Sequence, residues 1–221
     1  MVRFSLCLKS FYSSLFLYIK AGFFRRQVEY LFNVGKERMH QMNNVSPLLK
    51  GKNVILRKPK DSDVHDYLAC KQTKELIRMY GGDTRNLKPL TLQDAKRHVE
   101  YIKSQKLNWC VEYQQQFVGE ARLTVNEYDR RARYAIGLFD SSVWNQGLGT
   151  EVTKLVLAYA FEHLHLHRVD LRVLEYNHRA IACYEKCGFV KEGIEREGAF
   201  IEEAFQTDII MSILEQEYYQ L

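Results

Sequence analysis

The sequence lacks a cysteine framework, a membrane-spanning apolar run and, in most of its length, an excess of one charge. Its five cysteines are odd in number and form no C-x-x-C pair, which argues against a disulfide-stapled secreted domain and favours the reducing cytoplasm. The apolar stretch 11–19 is interrupted by two serines and is shorter than the roughly 20 residues of a transmembrane helix. We therefore predict a cytoplasmic protein without stable membrane insertion.

The net charge of +5 comes entirely from the first 44 residues. That segment has seven Lys or Arg against two Glu, whereas residues 45–221 carry 25 side chains of each sign. Nucleic-acid binding depends on a clustered positive charge. The neutral body of the chain therefore gives no electrostatic reason to expect a nucleic-acid partner, and we predict none.

The first 44 residues also differ from the rest in composition, with nine Phe or Tyr and no clear apolar period. Two interpretations are open. A basic aromatic segment is suited to an anionic membrane surface. Alternatively, translation begins at Met39 or Met42, so that residues 1–44 are an upstream-start artefact; this hypothesis expects little contact between residues 1–38 and the core.

From residue 53 onward, strand-like and helix-like patterns alternate without a linker or internal repeat, which predicts one α/β domain over residues 45–221. The predicted order is β-α-α-β-β-β-α-β-α-β-β. The predicted elements are a strand at 54–56, helices at about 61–80 and from 92, strands at 108–113, 117–125 and 133–139, a helix from 148, a strand at 169–173, a helix ending at Gly188, and strands at 190–200 and 204–214.

The stretch WNQGLGTEV (144–152) has two glycines immediately before a predicted helix. Glycines allow close approach of a ligand to the backbone, and a helix N-terminus offers unpaired N–H groups to a phosphate. The P-loop pattern is absent. A dinucleotide fingerprint is a closer rival because Asp170 lies at a suitable distance, but Val152 replaces its third glycine. A simple turn into a helix also remains open.

A second motif, NHRAIACYEKCGF (177–189), follows at a fixed distance. Together the two motifs resemble the GNAT superfamily of acetyl-CoA-dependent N-acyltransferases, and the resemblance extends from about Leu49 to Tyr218. It is strongest to the ribosomal-protein and polyamine acetyltransferase branches. The resemblance implies a mixed, mostly antiparallel central sheet flanked by helices. The loop departs from the family pattern at Trp144, where Arg or Gln is expected.

The resemblance implies a set of site residues. Tyr184 matches the general acid that protonates the departing thiolate, and the backbone N–H near Phe139 matches the oxyanion donor. Where relatives carry a carboxylate base, this chain has Arg172. Glu120, Asp170 and Glu175 are the remaining candidates, with Glu120 our choice, and a water chain is the alternative to a side-chain base. The acetyl-CoA-binding residues implied are Leu138, Phe139, Gln146, Gly147, Leu148, Gly149, Thr150 and Asn177.

These residues predict an N-acetyltransferase that moves the acetyl group of acetyl-CoA to a primary amine by direct transfer in a ternary complex. The expected acceptor is a small-molecule amine or a peptide N-terminus, and a homodimer is left open. A non-catalytic acyl-CoA-binding module and a dinucleotide oxidoreductase are the alternatives. We predict no metal site, because the histidines at 163, 165 and 167 and the thiols of Cys183 and Cys187 lack further ligands. An acidic run at the C-terminal hairpin is a candidate for attracting the acceptor: Glu192, Glu195, Glu197, Glu202 and Glu203.

Overall fold

An eight-stranded sheet organises residues 46–70 and 72–221, the part of the chain that the computed structural model describes. The strands lie in the order β1-β2-β3-β4-β5-β6-β8-β7. All neighbouring pairs are antiparallel except β5 with β6, which is parallel. The strands are β1 (Leu49–Lys50), β2 (Val54–Arg57), β3 (Asn108–Tyr113), β4 (Gln116–Asn126), β5 (Arg131–Leu138), β6 (Arg168–Leu174), β7 (Val190–Ile201) and β8 (Ala204–Leu214).

Six α-helices accompany the sheet in these residues. A 3-10 turn at Ser141–Val143 precedes the glycine loop, and a π-helical turn at Tyr159–His163 extends the helix that follows it. The helices are α1 (Asp63–Ala69), α2 (Lys74–Met79), α3 (Leu92–Ser104), α4 (Leu148–Ala158), α5 (His178–Lys186) and α6 (Glu215–Tyr218). The predicted mixed, mostly antiparallel sheet with flanking helices is confirmed.

The structure differs from the predicted element order at three points. The single helix predicted at about 61–80 is two helices, because Cys70 has extended backbone angles and the Thr73 side chain accepts a hydrogen bond from the Leu76 N–H, which starts α2 anew. The short strand β1 and the short helix α6 were not predicted. The hypothesis about residues 1–38 concerns a segment outside the described residues.

The helices cover both faces of the sheet. On one face, the Tyr134 hydroxyl of β5 lies 3.0 Å from the Thr153 hydroxyl of α4. On the other face, Tyr67 of α1 packs against Phe117 and Phe139, with ring centroids 6.2 and 5.0 Å away. Both faces are therefore buried, as expected for a three-layer domain. None of the helices in residues 46–70 and 72–221 has the length and hydropathy of a transmembrane segment.

A cleft forms because β5 and β6 separate. Their parallel pairing covers only Arg131 to Arg133 on β5 and Arg168 to Asp170 on β6. β5 nevertheless continues to Leu138 along β4, and β6 continues to Leu174 along β8. The sheet thus opens like a V at the ends of these two strands, and backbone groups at the inner edges are left for a ligand.

Candidate functional site

The V-shaped opening contains a cleft with a volume of about 1120 Å³. Its walls are the end of β5, the glycine loop, α5 and the β7–β8 hairpin. Seven of the residues implied by the resemblance line it: Leu138, Gly147, Leu148, Gly149, Thr150, Asn177 and Tyr184. Phe139 and Gln146 lie outside this lining, and Glu120 lines a neighbouring cavity.

The glycine loop delivers a helix N-terminus to the cleft. Asn145 and Gly147 have positive φ angles of 61° and 80°, a conformation that Asn and Gly adopt most readily. The first bond of α4 runs from the Glu151 N–H to the Gly147 carbonyl over 3.0 Å. The N–H groups of residues 148–150 precede that bond, so they are available to an anion.

Gly149 and Glu151 fix the start of α4 against the neighbouring elements. A Cβ at Gly149 would lie 3.4 Å from the Cys183 Sγ, so the loop packs closely on α5. The Glu151 carboxylate accepts hydrogen bonds from the Asn53 N–H and side-chain amide at 2.7 and 2.8 Å. Although burial favours a higher pKa, these hydrogen bonds lower the pKa of Glu151. The negative charge of Glu151 is therefore compensated by hydrogen bonds from the residue that precedes β2.

Both polar groups of the Gln146 side chain form hydrogen bonds within the protein. Its amide nitrogen donates to the Ser142 carbonyl at 2.9 Å, and its amide oxygen accepts from the Tyr113 hydroxyl at 3.1 Å. Any contribution of Gln146 to ligand binding would therefore come from its backbone. The side chain instead holds the loop against the end of β3.

The resemblance implies a backbone oxyanion donor near Phe139, and the N–H of Phe139 itself is not free. The Phe139 N–H donates to the Val118 carbonyl at 2.8 Å. Because hydrogen-bonding direction alternates along an antiparallel strand, the N–H groups of Ile136 and Leu138 point to the cleft side of β5 instead. Of the N–H groups near Phe139, that of Leu138 is therefore the candidate oxyanion donor.

The Leu138 carbonyl lies at the opening between β5 and β6. It accepts hydrogen bonds from the Tyr80 hydroxyl at 3.1 Å and from the Trp144 indole N–H at 3.2 Å. Burial raises the pKa of Tyr80 well above its usual range, so the hydroxyl remains protonated and able to donate. These contacts join the α2 end and the glycine loop to the same point of β5.

Tyr184 lies in the cleft wall with 7% of its surface exposed. Its ring packs at 5.7 Å from Phe189 and 6.4 Å from Tyr134. Burial raises the pKa of the Tyr184 phenol well above its usual value. The hydroxyl therefore stays protonated at neutral pH, as a proton donor must be before it reacts.

Asn177 joins three elements. Its side-chain oxygen accepts from the Ala180 N–H at 3.2 Å and so caps α5, while its amide nitrogen donates to the Met79 carbonyl of α2 at 3.2 Å. Both groups are thus used by the protein itself. Asn177 shapes the cleft wall that it lines.

A second cavity of about 430 Å³ adjoins the cleft on the α1–α3 side of the sheet. Glu120 lines it, and its Oε2 accepts a hydrogen bond from the Asn108 side-chain amide at 3.2 Å. The Nε2 of His98 lies 3.9 Å from the same oxygen. Burial lowers the pKa of His98, and the nearby Glu120 opposes this shift. The two cavities share four lining residues: Tyr80, Gly81, Ala135 and Ile136.

The other candidate bases are differently placed. Asp170 is buried and accepts from the Arg133 Nε at 3.0 Å. Glu175 is exposed and is absent from both lining sets. Arg172 lines the cleft, where its Nη1 lies 2.7 Å from the Glu195 Oε2. Glu120 is therefore the candidate that faces a cavity without a salt bridge to Lys or Arg among the described residues.

The acidic run at the hairpin is largely neutralised. Arg168 pairs with Glu192, Arg172 with Glu195 and Arg85 with Glu203 at 2.5, 2.7 and 2.8 Å. The Glu202 carboxylate accepts from the Thr84 N–H at 3.1 Å. These contacts oppose the hypothesis that the run attracts an acceptor by its charge.

No cluster of three or more His, Cys, Asp or Glu that could hold a metal ion occurs in residues 46–70 and 72–221. His163, His165 and His167 are exposed, and the nearest acidic contact of this group joins His167 Nδ1 to Glu215 at 3.7 Å. The Cys183 thiol is 3.4 Å from the Thr150 hydroxyl, behind the glycine loop.

The sequence-based selection of site residues missed Tyr80, His98 and Arg179. Tyr80 follows α2 and His98 lies in α3, both far from the motifs along the chain, and no local pattern marks them. Arg179 lies inside the second motif, where its positive charge was a usable signal. Its Cζ lies 3.3 Å from the centroid of the Trp144 ring, directly beside the glycine loop.

Comparison with known proteins matches a model of the acetyltransferase (GNAT) domain to residues 53–190. The chain is 38% identical over 80 residues to "Probable N-acetyltransferase YjcK" of Bacillus subtilis (strain 168), covering 36% of this chain and 44% of that protein. It is 33% identical over 94 residues to spermidine N(1)-acetyltransferase of Escherichia coli (strain K12), covering 42% and 50%. The chain thus spans about half the length of these curated relatives.

Similar folds occur in solved structures, of which two are described. One is spermidine N-acetyltransferase from Vibrio cholerae in complex with CoA and spermine, with a TM-score of 0.62, 23% identity and coverage of 76% of this chain and 98% of that one. The other is a GNAT-family acetyltransferase from Bacillus anthracis, with a TM-score of 0.67, 18% identity and coverage of 77% and 99%. At these identities the likeness concerns the fold alone.

Proposed function

Because the chain belongs to the GNAT acetyltransferase family, we propose that it transfers the acetyl group of acetyl-CoA to a primary amine, directly and in a ternary complex. The observation that carries this proposal is the shared wall between the two cavities. The larger cleft contains the anion-binding helix end, and the smaller cavity contains a carboxylate. An amine in the smaller cavity would meet a thioester in the cleft beside Tyr80 and Ile136.

The residues present suit acetyl-CoA. The free N–H groups at the start of α4 suit a pyrophosphate. The unpaired inner edge of β5 suits the amides of an extended arm, which would add to the sheet as a short strand. Gly147 leaves room for close approach, since a Cβ built there would meet no atom within 4 Å.

The proposed chemistry has two proton transfers, one to Glu120 on the α1–α3 side of the sheet and one from Tyr184 in the cleft. The amine nitrogen attacks the thioester carbonyl carbon, the carbon–sulfur bond breaks, and the Leu138 N–H stabilises the developing oxyanion. Glu120 takes the proton of the amine, and Tyr184 gives its phenol proton to the departing thiolate. Glu120 then releases its proton to solvent, and Tyr184 regains one from solvent.

The acceptor class follows the relatives with known names. Spermidine is the acceptor named for the Escherichia coli relative, and spermine is bound in the Vibrio cholerae structure. We propose a small-molecule amine of this kind, with a peptide N-terminus as the second candidate.

The purified chain should be incubated with acetyl-CoA and either spermidine, an aminoglycoside or basic N-terminal peptides, and acetylated products measured by mass spectrometry. Binding of acetyl-CoA without any product would favour a non-catalytic module.

Substitution of Glu120 by glutamine is expected to lower kcat/KM about 100-fold at neutral pH, near the lower end of what a general base contributes. The loss should shrink as pH rises toward about 10, because the acceptor amine then loses its proton to water without a base. Glu127→Gln, on an exposed turn of the same hairpin, is the matched control. A pH–rate profile of Glu120→Gln that coincides with that of the unsubstituted protein would exclude Glu120 as the base.

A further inference from the structure

A cation is held beside the glycine loop by an aromatic ring. Arg179, near the start of α5, places its Cζ 3.3 Å from the centroid of the Trp144 ring. The ring is itself fixed, because its indole N–H donates to the Leu138 carbonyl at 3.2 Å. Both side chains line the large cleft together with Gly147 and Thr150. The guanidinium therefore reaches from α5 to the loop in a defined position.

Stacking leaves the hydrogen-bonding capacity of this guanidinium available. A guanidinium that contacts a ring with its flat face keeps its N–H donors along its edges. Within residues 46–70 and 72–221, no carboxylate forms a salt bridge with Arg179 at 4.0 Å or less, in contrast to Arg172 on the same cleft wall. Burial lowers the pKa of Arg179, and the charge of Glu75 opposes this shift without forming a salt bridge.

The loop itself provides no cation. Residues 144–150 read WNQGLGT and contain neither Lys nor Arg. The helix N-terminus supplies only partial positive charge. Arg179 and Lys186 of α5 both line the cleft, and the Arg179 guanidinium contacts the loop directly through the Trp144 ring.

We propose that Arg179, positioned by Trp144, binds the pyrophosphate of acetyl-CoA. The guanidinium edge and the N–H groups at the start of α4 would together surround the phosphate oxygens. This inference rests on the proposed function, since it takes acetyl-CoA as the ligand. It adds a binding residue and a positioning residue for that ligand.

The test compares ligands that differ in their phosphates. Isothermal titration calorimetry would measure Kd for acetyl-CoA, for acetyl-dephospho-CoA, which lacks the 3′-phosphate, and for S-acetylpantetheine, which lacks all phosphates. Arg179→Gln should raise Kd for the first two about 10- to 100-fold, the range of one charge-assisted contact. Affinity for S-acetylpantetheine should not change.

Variants at the ring and at a second stacked arginine complete the test. Trp144→Phe keeps a ring beneath the guanidinium and should retain most of the affinity, whereas Trp144→Ala should lose part of it. Arg78→Gln is the matched control, because Arg78 lies over the Tyr176 ring at 5.2 Å but is absent from the cleft lining. Thermal melting of each variant would verify that it is folded.

Three results would overturn the proposal. Equal affinity of Arg179→Gln and the unsubstituted protein for acetyl-CoA would remove Arg179 from the site. An equal loss for S-acetylpantetheine would indicate a contact other than phosphate, and a loss confined to acetyl-CoA would indicate the 3′-phosphate. If the unsubstituted protein binds none of the three ligands, the proposed function itself fails.

Discussion

Replacing Tyr184 by phenylalanine is expected to lower kcat by about 1,000-fold, in the middle of the range for a general acid. The substitution removes only the hydroxyl, so the ring contacts with Tyr134 and Phe189 are kept. Kd for acetyl-CoA should therefore stay nearly unchanged. Loss of kcat without loss of affinity is the signature of an interaction made in the transition state.

Tyr134→Phe is the matched control for this experiment. Tyr134 also lines the cleft and is 2% exposed, but its hydroxyl already pairs with Thr153 at 3.0 Å. Its loss should reduce kcat far less than the loss of the Tyr184 hydroxyl. Steady-state rates for both variants, together with calorimetric affinities, would decide the matter. Equal effects of the two substitutions would assign Tyr184 a packing role instead.

Replacing Gly119 by alanine is expected to destabilise the protein by about 3 kcal/mol, at the upper end of common overpacking costs. An added Cβ would clash with the Gly137 carbonyl oxygen and would lie 3.0 Å from the Leu138 Cα. These are backbone atoms of β5, which cannot move aside as a flexible side chain can. Because β5 forms one edge of the cleft, relief of the clash would also displace the Leu138 amide.

Gly193→Ala on β7 provides the comparison. No atom lies within 4 Å of a Cβ built at Gly193, so this alanine should leave the free energy of unfolding nearly unchanged. Urea unfolding of both variants would give the two free energies. A Gly119→Ala variant as stable as Gly193→Ala would show that β4 and β5 adjust to the extra methyl group.

Strand-like runs in the sequence predicted the sheet well, and in the first half of β5 buried and exposed residues alternate. The bounds of β3 and β8 were predicted to the residue, and the resemblance to the GNAT superfamily is confirmed by the family match. The break between α1 and α2 was missed because both segments have helix-forming patterns, and the interruption depends on local backbone angles at Cys70.

The cleft-lining residues were predicted where they belong to a sequence motif with a characteristic local structure. The glycine loop and Tyr184 belong to such motifs, and both line the cleft. The amide of Phe139 illustrates the limit, because which of two successive N–H groups faces the cleft depends on pairing with Val118. Tyr80 and His98 reach the site through tertiary packing, which no spacing in the sequence records.

The fixing of Trp144 at the cleft also gives the protein a natural optical probe. The chain has two tryptophans. Trp109 is fully buried, and its indole N–H donates to the Pro47 carbonyl at 2.7 Å. Trp144 instead contacts a guanidinium at the wall of the cleft. On ligand binding, the fluorescence of Trp109 should stay constant, whereas that of Trp144 should change. Occupancy of the cleft can therefore be followed in the unlabelled protein.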